Sequence, residues 1–241
     1  LRYGAGIEIA NAYVATWPDG VDINTDWTGQ GDAGAVENII ATDVTLGAQE
    51  SHAYRINVIV SLNEEQVTPE ALQCPEPGSG EPGGLANGAE LAHNGQTQDD
   101  EVCATLPLID ITKSLSGTVD PVDGEPGVYD ATYQVVVTNA GAGEGVYDLD
   151  DALAPGEGVD VVGVQQVSSE DVPPAAINDG FDGLGDTRIV SGQAIAGADV
   201  EPTTHTYTVT VRYALDLGAI EDPPAADECV GPDGATAPGG L

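Results

Sequence analysis

The sequence repeats itself at an almost constant spacing, and a chain of this kind must build the same supersecondary unit more than once. Residues 51–60, centred on Tyr54, match residues 204–213, centred on Tyr207. Upstream, the stretch from Asn24 through Trp27 and Gly29 to Asp32 matches the stretch from Asn178 through Phe181 and Gly183 to Asp186. Downstream, Cys74 matches Cys229, and the run from Pro82 to Leu85 matches the run from Pro238 to Leu241. Across these blocks the offset stays between 153 and 156 residues, which chance does not produce. The copies are out of phase with the ends of the sequence. Residues 1–107 read as the C-terminal portion of one β-sandwich repeat, and residues 108–241 as the following repeat without its last strand. The join falls near Pro107, where proline interrupts strand pairing. A longer tandem array is the expectation.

Each unit is expected to be all-β. The 32 glycines and 16 prolines fall in clusters between short alternating runs, and no window shows a capped helical period. Candidate strands cover 7–14, 39–45, 52–62, 89–93, 109–115, 131–139, 159–167, 189–195 and 205–214. In the last of these Tyr207, Val209, Val211 and Tyr213 share one face, and Thr206, Thr208, Thr210 and Arg212 the other. This period of two marks a half-buried antiparallel strand, and strands so spaced with no helices between them predict a β-sandwich.

Charge narrows the function. With 41 acidic and 5 basic residues the formal net charge is −36, so the chain repels nucleic acid and anionic membrane. The 41% of hydrophobic residues, arranged periodically, argues against wholesale disorder. No window approaches the ~18 apolar residues of a membrane span. No secretion signal is visible and methionine is absent, so a mature or truncated piece of a longer protein is expected.

Cys74 and Cys103 bracket a Pro/Gly-rich segment, and an acidic sequence of extracellular style predicts a disulfide between them. The alternative is a pair of free thiols in a reducing compartment. Zinc is disfavoured because no histidine or second cysteine pair stands at ligand spacing. Cys229 occupies the Cys74 position of the next copy and reads as unpaired within this sequence, or as intermolecular.

Several segments resemble the conserved-repeat domain of bacterial surface proteins (domain of unknown function eleven). They are the run from Ile109 to Leu115, the run from Tyr133 to Gly141 with its Thr138-Asn139-Ala140-Gly141 end, and Tyr147 to Leu153 before a Pro155-Gly156 turn. His205 to Val211 resembles the late strand of that family, and Asn87 to Leu91 followed by Asp99 to Cys103 its closing segment. The resemblance implies tandem immunoglobulin-like or prealbumin-like antiparallel sandwiches on secreted or wall-attached proteins, with no catalytic residues. The scarcity of lysine and an acidic insertion around 167–178 depart from the family pattern.

Candidate sites are few. Asp179, Asp182 and Asp186 lie in a Gly-rich loop, with Asp26 and Asp32 in its counterpart; spaced carboxylates suit calcium, but the spacing is not that of an EF-hand. The plainer reading is a turn that buries Trp27 or Phe181 over the sandwich. Asp148, Asp150 and Asp151 form a second acidic group. Lys113, the single lysine, stands in a first strand. Some surface domains join such a lysine to a last-strand asparagine through an isopeptide bond; Asn87 holds that place in the preceding unit, and the partner of Lys113 would follow Leu241. His52 and His205 read as strand-edge residues, and Trp17 as a turn aromatic with a possible sugar-binding role. Hydrolase, zinc-protease, phosphate-loop and dinucleotide motifs are all missing.

The expected protein is non-enzymatic and extracellular, secreted or cell-wall attached: an adhesin stalk or fibre whose partners are neighbouring repeats. A self-polymerising subunit assembled by strand exchange is the alternative, and a carbohydrate-binding accessory module a third reading.

Overall fold

The computed structural model describes residues 1–30, 35–216 and 218, with the backbone of 229–230 and 236–237. The described residues are all-β and antiparallel, with three short 3₁₀ turns and no α-helix. The chain divides into two compact units: Leu1–Pro107 with Gly141–Gly143, and Leu108–Ala140 with Glu144–Leu241.

The first unit contains β1 (Arg2–Tyr3), β2 (Ile7–Thr16), β3 (Arg55–Leu62), β4 (Leu85–His93) and β5 (Gln96–Val102). β2 pairs with β3, and β4 lies between β1 and β5. Asn94 and Gly95 join β4 to β5, both with positive φ (51° and 76°), which is the backbone demanded by a two-residue hairpin turn. β5 carries Gln, Thr, Asp and Glu with no apolar alternation, so periodicity alone does not reveal it. The proposed strand at 39–45 is not a strand; among the described residues no strand pairs with it. Buried apolar side chains in this unit are Val14, Trp27, Leu72 and Ala86.

The second unit contains β6 (Ile109–Leu115), β7 (Asp120–Pro121), β8 (Val128–Asn139), β9 (Gly145–Asp150), β10 (Val159–Ser169), β11 (Arg188–Ile195) and β12 (Thr203–Leu215), followed by β13 (Cys229–Val230) and β14 (Thr236–Ala237). One sheet runs β10-β12-β8-β6, with β7 added to β8; a second is β9-β11, and β13 pairs with β14. β8 and β12 pair without interruption from Thr203↔Asn139 to Ala214↔Val128. That register places Tyr207 opposite Val135, Val209 opposite Tyr133 and Val211 opposite Ala131. These inward residues pack with Leu149 from β9 and with Ile189, Val190 and Ile195 from β11, so a single core lies between the sheets. On the outer face, Thr132 meets Thr210 (3.0 Å) and Arg212 holds Asp130 with two hydrogen bonds (2.8 and 2.9 Å). Period-two alternation therefore separates an apolar layer from a polar one, giving a sandwich-like unit. Each inward side chain removed from water contributes about 1.5–3 kcal/mol.

Candidate functional site

The best-defined local structure is a loop that occurs twice. In the second unit the Asn178 amide N–H donates to the Ile189 carbonyl (2.8 Å), and its Nδ2 donates to the Arg188 carbonyl (2.8 Å). Its Oδ1 accepts the Gly180 N–H (3.0 Å), and its carbonyl accepts the Phe181 N–H (3.2 Å). In the first unit the Asn24 N–H donates to the Ile40 carbonyl (2.8 Å) and its Nδ2 to the Ile39 carbonyl (3.1 Å). There Oδ1 accepts the Asp26 N–H (3.0 Å), and the carbonyl accepts the Trp27 N–H (3.3 Å). Phe181 and Trp27 are each 6% exposed, so both loops fold over one large aromatic. Two residues further on, Gly183 and Gly29 both have positive φ (71° and 67°), and a Cβ on either would collide with a neighbouring side chain. One asparagine thus serves four backbone groups and closes the same turn in both copies.

The strands on either side of these loops also correspond. β10 and β2 each pair with their partner through two register shifts, the first at the same place, opposite Tyr213/Arg212 and Val60/Ile59. Tyr207, Val209, Val211 and Tyr213 are buried, whereas Tyr54, Ile56, Val58 and Val60 at the matching positions are half-buried. The difference follows from pairing. β12 is hydrogen-bonded on both edges, by β10 and β8, whereas β3 is paired among the described residues only with β2.

The aspartates proposed for calcium have other partners. Asp182 Oδ1 accepts the N–H groups of Leu184, Gly185 and Asp186 (2.8, 2.8 and 2.9 Å), and these bonds hold its carboxyl below the usual range. Asp186 accepts Asn178 Nδ2 (2.9 Å) and the Arg188 N–H (3.1 Å). Asp179 is an exposed loop residue, and Asp32 lies outside the described residues. No group of three or more His, Cys, Asp or Glu side chains suited to a metal occurs among the described residues. Asp148 and Asp150 both face Arg188 (2.8 and 2.7 Å).

Cys74 and Cys103 form a disulfide, with their Cα atoms 5.8 Å apart. It ties the segment after the buried Leu72 to the end of β5, and closing a loop of this separation is worth about 3.5 kcal/mol. Cys229 begins β13, and its side chain lies outside the described residues. Trp17 is 44% exposed. Trp27 is not free to stack on a sugar, because it is buried and its Nε1 donates to the Asn38 carbonyl (3.2 Å).

Two polar clusters escaped sequence reasoning. Tyr147 Oη meets both Tyr207 Oη (2.6 Å) and His205 Nδ1 (2.8 Å). Burial raises the Tyr147 phenol and lowers the His205 imidazole, the latter against the pull of the Asp171 carboxylate. His205 is therefore an interior strand residue of β12 and not an edge residue, whereas His52 precedes β3 beside Glu50 (3.4 Å). The second cluster gathers Lys113, Asp151, Tyr133 and Tyr213. The signals that could have found them were the unusual Tyr content of these strands and an aspartate just beyond a strand end.

No family model, no curated protein and no solved structure matches this chain. No helix among the described residues is long and apolar enough to cross a membrane.

Proposed function

We propose that this chain is a structural repeat of a secreted or cell-surface protein, serving as an adhesin stalk or extracellular fibre built from tandem immunoglobulin-like units. The observation that carries the reading is the duplicated asparagine-capped loop, one hydrogen-bond circuit found in both units. Support comes also from the resemblance to bacterial surface repeats and from the disulfide, which belongs to oxidising surroundings. The net charge of −36 keeps neighbouring units from clumping. In this reading no group acts as a catalyst; the polar side chains are spent on turns, strand pairs and ion pairs. Antibodies raised against the chain are expected to label intact, unpermeabilised source cells or material released from them. Labelling that requires permeabilisation would reject the proposal.

One observation favours a second reading. Among the described residues one edge of β3 has no strand against it, where its counterpart β12 has β8. In a self-polymerising subunit, a β8-type strand of another copy would add to this edge through main-chain hydrogen bonds. Electron microscopy of the purified chain separates the readings: regular filaments formed by this polypeptide alone favour polymerisation, and single particles at every concentration exclude it.

A further inference from the structure

The single lysine of the sequence stands against a carboxylate that has little else to do. Lys113 sits on β6, at the margin of the larger sheet, and Asp151 follows β9, in the smaller one. Lys113 Nζ is 2.6 Å from Asp151 Oδ1 and 4.8 Å from the centroid of the Tyr133 ring. Asp151 is 7% exposed, its backbone N–H is fixed to the Thr187 carbonyl (2.8 Å), and its second oxygen, Oδ2, is buried with no hydrogen-bond partner. An ionised carboxylate with an orphaned buried oxygen is costly, since desolvation must be offset by hydrogen bonds on both oxygens. Tyr133 covers one side of the ammonium, and its own hydroxyl is engaged by Tyr213 (3.2 Å).

We propose that this pair condenses to an intramolecular isopeptide bond between Lys113 Nζ and Asp151 Cγ. A proton passes from the ammonium to the carboxylate, giving a neutral amine and a neutral carboxylic acid. The nitrogen lone pair attacks Cγ, and the tetrahedral centre then expels its hydroxyl together with a proton from nitrogen as water. One C–N bond forms, one C–O bond breaks, and no oxidant, reductant or activating group is consumed. The fold supplies what the reaction lacks in solution: nitrogen and carboxyl are held in contact by two sheets, so the encounter is already made. The product is neutral, which removes both the orphaned charge and the cost of keeping it buried. It also stitches the two sheets of the sandwich together, at a different place from the asparagine pairing that the sequence alone suggested for Lys113.

The test is the intact mass of the full chain, denatured and reduced. The wild type is expected to be lighter than its sequence by one water, and the Lys113→Arg and Asp151→Ala variants to have their full mass. Arginine keeps the positive charge and the ion pair but offers no nucleophilic amine, so a loss of water that persists in Lys113→Arg would belong to other chemistry and overturn the proposal. Because no second lysine exists, an amine-selective reagent applied to the denatured wild type should label the N-terminus alone, whereas the Asp151→Ala variant should also take label at Lys113. Proteolysis of the wild type should release a branched peptide containing both residues. A wild type at full sequence mass, with Lys113 open to the reagent, would show a plain ion pair and end the proposal whatever the variants do.

Discussion

The two units carry the same strand signal and bury it to very different degrees. In the second, Tyr207, Val209 and Val211 are wholly buried, because β8 flanks β12 and the β9-β11 sheet covers its inner face. At the matching positions of the first, Tyr54, Ile56 and Val58 remain half-exposed, because β3 is paired only with β2 among the described residues. Alternation in a sequence thus states which side chains face inward; how deeply they are buried depends on partners elsewhere in the chain. The first unit also carries a covalent link, the Cys74–Cys103 bond close to the buried Leu72.

The sharpest way to break this contrast is to truncate the same position in both units. Ile189 and Ile40 both accept the N–H of the loop asparagine, but Ile189 is fully buried and Ile40 half-buried. Ile189→Ala should cost about 2–5 kcal/mol in denaturant unfolding, whereas Ile40→Ala should cost less than half as much. Equal losses would mean that the two units are equally covered. Reduction of the disulfide comes next. It should lower the stability of the first unit by about 3.5 kcal/mol and leave the melting of the second unchanged, as calorimetry with and without reductant would show.

The shared loop should behave alike in both units. Asn24→Ala removes three side-chain bonds to backbone groups and Asn178→Ala two, at an expected cost of about 1–3 kcal/mol apiece. A clear inequality between them would mean that the resemblance of the loops is superficial. The smallest effect concerns acid. Burial lowers the His205 pKa in the folded state, so the folded protein takes up the proton less readily than the unfolded chain. The stability from this neutral imidazole is present above the unfolded value of about 6.5 and declines as pH falls below it. His205→Gln should flatten that part of the stability profile, measured by thermal melts between pH 7 and pH 5.

Much of this architecture was legible from residue order. Residues 109–115 match β6, and the alternating run around Tyr207 lies in β12, because apolar and polar residues alternate in both, with Lys113 the one exception in β6. The stretch 39–45 misled because β-branched residues make a strand only when another strand is available to bond them. β5 escaped because six polar residues precede its single apolar one, Val102, although Asn94-Gly95 is a strong hairpin signal. At the sites, the turn reading of Asp182 and Asp186 rests on local hydrogen bonds within a few residues, which spacing can suggest. The contact between Lys113 and Asp151 joins two sheets across 38 positions, so the aspartate beyond the strand end is visible in the sequence but its partner is not.

Residue-resolved amide exchange of β3 and β12, followed by NMR in dilute solution, tests the account most directly. From Tyr207 onward, where β10 and β8 bond both of its edges, the N–H groups of β12 should be protected. Along β3 protection should alternate, slow for amides directed at β2 and fast for those directed away. Uniform protection along both strands would contradict the contrast between β12, paired on two edges, and β3, paired on one among the described residues.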